Sequence, residues 1–552
     1  MNGDGAARRP FAWEASYPAR IGWDDPIAVC GIGDYLASAV RRYRDRAALQ
    51  YCEARISYAE LGRLVLQAAA GFLALEGARE GGVALLLPNT PWHTICFFGA
   101  ASADLRIVQL SPMDSIRELE HKLRDSTARI VVTFDAVDYL AKCRELQEKG
   151  LIDRIILADD ARWGAADETA GVAGLTRLDE LIDRAPLPRP LDVDPQGIAV
   201  LQYTGGTTGL PKGAALSHAN VIAAAEISAH WQSVRANSEG RHDQVLMCLP
   251  LFHVFALTMT NRHLGHGNTV HLRRRFEVET ALDDIERHRI GIFHGVPTMF
   301  IAMLGDARLE RRDLSCLDYA TSGGAPLPAE VGRSFEARTG IRIHPGWGMS
   351  EAAAIGCQHV PGGEIRPGAI GLPLPGIELQ VVALEDPSRL LPAGETGEFR
   401  MRGPNLFEAY WRREHERDKD FVDGYFRTGD IGHIDADGYV FLTDRKKDMI
   451  LSSGFNVFPR TVEEAIYEHP DVAECVVIGV PDAYRGQAAK AFIVLKAGRR
   501  SFDLDELRAF LMSRLGRHEM PQAMEIRDRL PKTSVGKFSK VALQAEAARA
   551  AS

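Results

Sequence analysis

The chain has 552 residues, of which 46% are hydrophobic and 25% charged, an ordinary balance for a globular protein of more than one domain. Its formal net charge of −9 excludes a chain-wide electrostatic match to nucleic acid but leaves room for a local basic patch that grips an anionic cofactor. The eight cysteines, Cys30, Cys52, Cys96, Cys143, Cys248, Cys316, Cys357 and Cys475, are too scattered for a zinc ribbon, a redox CxxC or a disulfide framework, and read as reduced thiols of a cytoplasmic enzyme.

At the N-terminus the pair Arg8-Arg9 is followed by Phe11-Ala12-Trp13-Glu14, already broken by charge, so no export signal is expected. No stretch approaches the ~20 apolar residues of a membrane span. Tyr58 to Leu75 has helical apolar spacing behind a candidate N-cap, Ser57, and Val83 to Leu87 reads as a buried strand closing at Pro88-Asn89. Ile116 to Leu123 predicts a helix and Arg129 to Thr133 the next strand. This alternation predicts an α/β fold, a large N-terminal domain of sheets with packed helices. The prolines from Pro186 to Pro190 mark a loop. A further strand, Ile198 to Tyr203, empties into glycines and threonines.

Near Asp444 the character changes. The strand-like Gly438 to Leu442 runs into the charged string Asp444-Arg445-Lys446-Lys447-Asp448. Beyond it, Glu463 to Glu468 (helix), Cys475 to Val480 and Ala491 to Leu495 (strands) and Leu504 to Leu515 (amphipathic helix) predict a small α+β unit. The boundary falls at the charged string: an N-terminal domain over 1–446 and a C-terminal domain over 447–552.

The chemistry is concentrated in Thr204-Gly205-Gly206-Thr207-Thr208-Gly209-Leu210-Pro211-Lys212-Gly213. Glycines let backbone N–H groups turn inward toward a phosphate, threonine hydroxyls add donors, and lysine supplies countercharge. It is not a Walker A loop, because Lys212 follows Pro211 and precedes Gly213. The segment resembles the AMP-binding signature of the adenylate-forming superfamily, which contains acyl-CoA synthetases, nonribosomal peptide adenylation domains and luciferases. The likeness spans nearly the whole chain. Gly323-Gly324-Ala325-Pro326 resembles the family's adenine-side loop, and Gly346-Trp347-Gly348-Met349-Ser350-Glu351 its Gly-aromatic-Gly-x-Thr-Glu motif. Phe426-Arg427-Thr428-Gly429-Asp430, the hinge string from Asp444 and the lysine motif Pro531-Lys532-Thr533-Ser534-Val535-Gly536-Lys537 follow in the family's order.

The resemblance implies a mobile C-terminal domain and roles for individual residues. Thr204, Gly205, Gly206, Thr207, Thr208, Gly209 and Lys212 would hold phosphate, together with Ser350. Gly324, Ala325, Trp347, Gly348 and Met349 would surround the nucleotide, with Trp347 as an aromatic wall. Asp430 would accept both ribose hydroxyls and Arg445 would donate to the same ribose. Glu351 would serve Mg²⁺, which takes hard oxygen ligands. Lys537 would be the adenylation lysine, and His253 would stand beside the acyl pocket and thiol entrance. Rotation about Lys447 would then withdraw Lys537 and bring Gly454 and Phe455 to a coenzyme A tunnel.

The implied activity is an ATP- and coenzyme A-dependent acid–thiol ligase. Gly206 after Gly205, and the run from Asp444 to Val457, resemble the bacterial long-chain fatty-acyl-CoA branch. Trp347, Ser350, Phe426, Gln487 and the Phe538-Ser539-Lys540 run after Lys537 depart from the family's usual residues, so medium-chain, dicarboxylic and aromatic acids stay open. So does a free-standing acyl-AMP ligase loading a carrier protein. Retention of Lys212, Glu351, Asp430 and Lys537 together speaks against a non-catalytic scaffold. The resemblance also implies acetylation and deacetylation of Lys537 by dedicated enzymes, and it leaves open a homodimer and peripheral membrane contact.

Overall fold

The computed structural model describes residues 9–164, 174–204, 211–235, 242–482, 484–533 and 536–551. Among them the strands form four sheets. A seven-stranded sheet runs in the order Thr176–Arg177, Arg154–Ala158, Ile130–Phe134, Val83–Leu86, Ile107–Gln109, Ile198–Tyr203, Gly213–Ser217. Its strands are parallel except the last, which returns antiparallel on Ile198–Tyr203. A nine-stranded sheet has a parallel centre that includes Gln244–Met247, Ile292–Gly295, Tyr319–Ser322 and Ile343–Trp347. The apolar runs of Val83–Leu86 and Ile198–Tyr203 are what a sheet covered on both faces requires.

Helices fill the space between the two sheets. Pro91–Ser102 is buried along its whole length, which is why its sequence lacks a polar face. Tyr58–Leu73 packs closely against it, and the predicted cap holds: the Ser57 hydroxyl accepts from the backbone N–H of Glu60. Such a cap contributes about 1 kcal/mol. Trp92, Phe97, Phe98 and Trp231 are sunk in the same core, each side chain stabilising by about 1.5–3 kcal/mol. Ile116–Ser126 and Val137–Glu148 cover the outer face of the seven-stranded sheet through Leu119, Leu123, Leu140 and Leu146.

A five-stranded antiparallel sheet follows, built on Gly397–Arg402, Tyr425–Ile434 and Val440–Arg445. The last of these leads into the C-terminal unit, whose sheet contains Ile450–Ser452, Phe455–Val457, Val472–Asp482, Gly486–Leu495 and Ala523–Ile526. That sheet has its own core. Val457, Val462, Ile466, Val477, Ile493 and Leu507 pack on one face, and Val476, Ile478, Phe492, Leu530 and Leu543 on the other. The chain is therefore the α/β fold expected, a large N-terminal part of mixed sheets and helices with a smaller α+β part behind it.

Several element ends differ from expectation: the strands expected over Cys475–Val480 and Ala491–Leu495 run over Val472–Asp482 and Gly486–Leu495, and two helices of the same unit shift as well. The helix expected from Glu463 begins earlier, at Pro459, because proline suits the first helical position. The helix expected to reach Leu515 stops at Leu511; Leu515 is still buried, but it is reached through a turn before Gly516. No helix of the described residues is long and apolar enough to cross a membrane.

Candidate active site

The ends of Ile198–Tyr203, Tyr319–Ser322 and Ile343–Trp347, the strand Tyr425–Ile434 and a loop of the C-terminal unit line one cavity of about 1420 Å³. Ligands of parallel α/β sheets gather at such carboxyl ends. Thr204, Lys212, His253, Gly324 and Ala325 line it, as do Trp347, Gly348, Met349, Ser350 and Glu351. Asp430, Arg445, Lys447 and Lys537 close it from the other side. The loop residues Gly205, Gly206, Thr207, Thr208 and Gly209, and Ser534 and Val535 of the lysine motif, lie outside the described residues. Thr204 and Lys212 pin the two ends of that loop together, the Thr204 N–H donating to the Lys212 carbonyl at 2.9 Å.

Lys537 reaches the cavity on a loop held at two points. Thr298, in the first turn of helix Pro297–Leu304, donates its hydroxyl to the Gly536 carbonyl at 2.7 Å, and the Lys537 N–H donates to Thr533 Oγ1 at 3.2 Å. The side chain then crosses Gly324, whose φ is +76°. A Cβ there would lie 2.8 Å from Lys537 Cε, so glycine keeps the lysine's path open. Burial, with the nearby Arg445 cation, pushes the Lys537 amine down to about 8; Asp430 opposes the shift. Burial and the Lys537 charge together push His253 down to about 3, so its imidazole is neutral at physiological pH. His253 also caps helix Val254–Gly265, its Nδ1 accepting from the Phe255 N–H at 3.3 Å.

Asp430 is buried between two donors. The Trp347 indole N–H donates to Oδ2 at 2.8 Å, and Arg445 Nε stands 3.0 Å from Oδ1. Trp347 itself is almost covered, with Gly356 against its ring, where a Cβ would come within 2.5 Å. The Ser350–Ala352 turn carries Glu351 inward, and the backbone passes through left-handed φ at Ala353 and Ala354. Gly348 permits that turn, since a Cβ there would meet the Ala354 carbonyl at 2.0 Å. Burial raises the Glu351 carboxyl, while a 2.6 Å bond from the Tyr410 hydroxyl and the charge of Arg445 pull it back.

Tyr410 was not legible in the sequence. It touches both sides of the phosphate region, donating to Glu351 while Lys212 Nζ sits 4.8 Å from its ring centre. Glu416, also missed, pairs with Lys212 at 3.0 Å. Neither residue sits in a motif with a spacing to announce it.

The structure does not bring Gly454 and Phe455 to the cavity. Both are exposed, and the Phe455 ring lies 5.0 Å from that of His518. Lys447 lies in the turn between Val440–Arg445 and Ile450–Ser452. The lysine is thus inside the cavity and the Gly454 hairpin outside it.

The sequence profile of the AMP-binding enzyme family matches residues 36–411, and that of the AMP-binding enzyme C-terminal domain matches residues 461–537. A long-chain-fatty-acid–CoA ligase of Bacillus subtilis (strain 168) is 34% identical over 550 residues, covering 95% of this chain and 96% of that protein. A feruloyl-CoA synthase of Amycolatopsis sp is 34% identical over 520 residues, covering 92% and 98%. Among solved structures, the anthranilate CoA ligase AuaEII in complex with anthranoyl-AMP superposes with a TM-score of 0.84 at 26% identity, covering 96% of this chain and 99% of that one. The fold and the gathered motifs define an adenylate-forming enzyme, and the chain belongs to the AMP-binding enzyme family. Within it, the chain is an acyl-CoA synthetase that works through an acyl-adenylate and consumes ATP and coenzyme A.

Proposed function

We propose that the acid is a medium- or long-chain fatty acid, activated to acyl-AMP with release of pyrophosphate and then transferred to coenzyme A with release of AMP. The entry of Lys537 over Gly324, beside Asp430 and Arg445, carries the mechanism. In the first step a carboxylate oxygen attacks the α-phosphorus and the bond to pyrophosphate breaks. Two anions must meet, and the Lys537 ammonium between them lowers that barrier. Lys212 and the loop from Thr204 to Gly209 hold the phosphates, Ser350 donates to the α-phosphate, and Asp430 and Arg445 hold the ribose.

Among the described residues no group of three or more His, Cys, Asp or Glu could hold a metal ion by itself. That fits Mg²⁺, which typically binds through one or two carboxylates, substrate phosphates and water. Glu351 is the carboxylate we assign to it; when bound, the ion would neutralise phosphate charge. For the second step the domain from 447 to 552 turns about Lys447, taking Lys537 out and bringing Gly454 and Phe455 in. Gly454 has φ +83°, and a Cβ placed on it would have nothing within 4 Å, so the hairpin tip can lie close against a thin pantetheine arm. Neutral His253 then borders the thiol's path.

The Bacillus relative supports the fatty-acid reading. The feruloyl-CoA and anthranoyl relatives favour a second reading, an aromatic acid. AMP release measured over short, long and aromatic acids, with and without coenzyme A, tests both. Fatty acids should give the highest kcat/KM, and coenzyme A should accelerate turnover. Adenylate accumulation without that acceleration would instead point to a carrier-loading ligase.

A further inference from the structure

The segment from Cys248 to His253 joins strand Gln244–Met247 of the nine-stranded sheet to helix Val254–Gly265. Two side-chain amides of the seven-stranded sheet hold its backbone. Asn89 follows strand Val83–Leu86, and Gln202 lies in strand Ile198–Tyr203; both are buried. Asn89 uses both ends of its amide. Its Nδ2 donates to the Leu249 carbonyl at 2.7 Å, and its Oδ1 accepts from the Leu251 N–H at 2.8 Å. A flipped amide would set donor against donor, so one orientation is fixed. Pro250, between the two, has no N–H to offer. Gln202 Nε2 donates to the Phe252 carbonyl at 3.1 Å. The His253 N–H then closes the turn on the Pro250 carbonyl at 2.9 Å.

The segment is neither helix nor strand, so its buried backbone groups need partners from elsewhere. The consequence falls on His253, which lines the cavity. Among the described residues its ring has one hydrogen bond, the one that Nδ1 accepts from the Phe255 N–H. No other side chain steers the imidazole. It stands where its backbone puts it, and Asn89 and Gln202 place that backbone. With Nδ1 accepting, the neutral ring carries its proton on Nε2 and can donate to an occupant. Gln202 also stands two residues before Thr204, so one strand end leads into the phosphate loop and supports the histidine.

We propose that Asn89 is a positioning residue for His253, with Gln202 as its second support, and that the two amides fix where the imidazole stands in the cavity. Asn89 does not line the cavity, so its effect passes through the loop it holds. The loop bonds it makes set the path of the chain immediately before the histidine. A misplacement on the order of 1 Å near reacting atoms costs on the order of 10²-fold in rate. The proposal rests on the reading of His253 as a neighbour of the acyl group and the thiol's path, and extends it to the residues behind the ring.

The test is a double-mutant cycle with His253→Ala, read on kcat and KM with the two half-reactions assayed separately. Asn89→Leu keeps the side chain's size and removes both bonds to the loop. In whichever half-reaction His253→Ala slows, Asn89→Leu should lower kcat by roughly ten- to a hundredfold, with KM for ATP within about twofold. In the His253→Ala background its further loss should be under about twofold, because the group it places is gone. The drop in thermal midpoint should be the same in both backgrounds, which separates stability from placement. Gln202→Met removes the bond to Phe252 and should follow the same pattern with a smaller loss; it carries the cycle if Asn89→Leu yields no folded enzyme. Equal fractional losses in both backgrounds, or no loss in either, would overturn the proposal and leave the role of His253 standing. A His253→Ala enzyme with both half-reactions at wild-type rates would overturn that role and the proposal with it.

Discussion

At the residue scale, Lys537 joins the lysine motif to the chemistry. Its ammonium enters the cavity only because Gly324 offers no side chain. Lys537→Ala should reduce acyl-AMP formation by ~10²–10³, the range of comparable electrostatic groups, while thioester formation from supplied acyl-AMP survives. The two half-reactions, assayed separately, check this, and equal losses in both would contradict the assignment. The lowered pKa gives a second expectation. The cation exists below about 8 in the free enzyme and is lost as pH rises through that value. kcat/KM for adenylation reports the free enzyme, so it should fall on the alkaline side with an apparent pKa near that figure. Lys537→Arg, slower because its fork is a different shape, should move that limb upward, since guanidinium stays charged.

At the element scale, strand-to-loop junctions made the site readable. Strand Ile198–Tyr203 was legible from its apolar run, and so was the phosphate loop after it. The turn that carries Glu351 inward was legible only as a motif. Its left-handed Ala353 and Ala354 sit against type, because the close approach of Gly348 to the Ala354 carbonyl forces the path, and that is a tertiary fact. Tyr410 and Glu416 stayed hidden for a similar reason. They reach the site across 59 and 204 residues, to Glu351 and Lys212, and no local period encodes such a contact.

The hinge turn belongs to the same scale. Lys446 is anchored to Glu398 at 3.0 Å, and that carboxylate also holds Arg427, so the chain is fixed just before Lys447, the position we propose as the hinge. Lys447→Pro fixes φ and removes a donor. It should hold the enzyme in one arrangement, with one half-reaction lost, the other kept and the thermal midpoint little changed. Both half-reactions at wild-type rates would move the hinge elsewhere.

At the scale of the whole molecule, the two parts meet through few hydrogen bonds among the described residues. Thr298 bonds the Gly536 carbonyl, Glu464 Oε2 accepts from the Ala329 N–H at 3.2 Å, Asp444 Oδ2 accepts from the Arg460 N–H at 2.9 Å, and the Arg460 guanidinium donates to the Leu442 carbonyl at 2.5 Å. Hydrogen bonds of this kind contribute about 0.5–1.5 kcal/mol each, little enough for an equilibrium between arrangements. The acetylation of Lys537 that we propose from its motif would depend on that equilibrium. With the lysine inside the cavity an acetyltransferase cannot reach it, and only the withdrawn arrangement presents the amine. Thr298→Ala and Glu464→Ala each remove a contact specific to the present arrangement, so each should speed acetylation several-fold, while a non-hydrolysable acyl-AMP mimic should slow it. Acetylation removes the charge that the first step uses and leaves the second step without its involvement. Peptide mass spectrometry of Lys537 over time, paired with the two half-reaction assays, reads both consequences. Heavy acetylation with undiminished AMP formation would refute the role of the cation, and equal acetylation rates with and without the mimic would refute the burial that is meant to protect it.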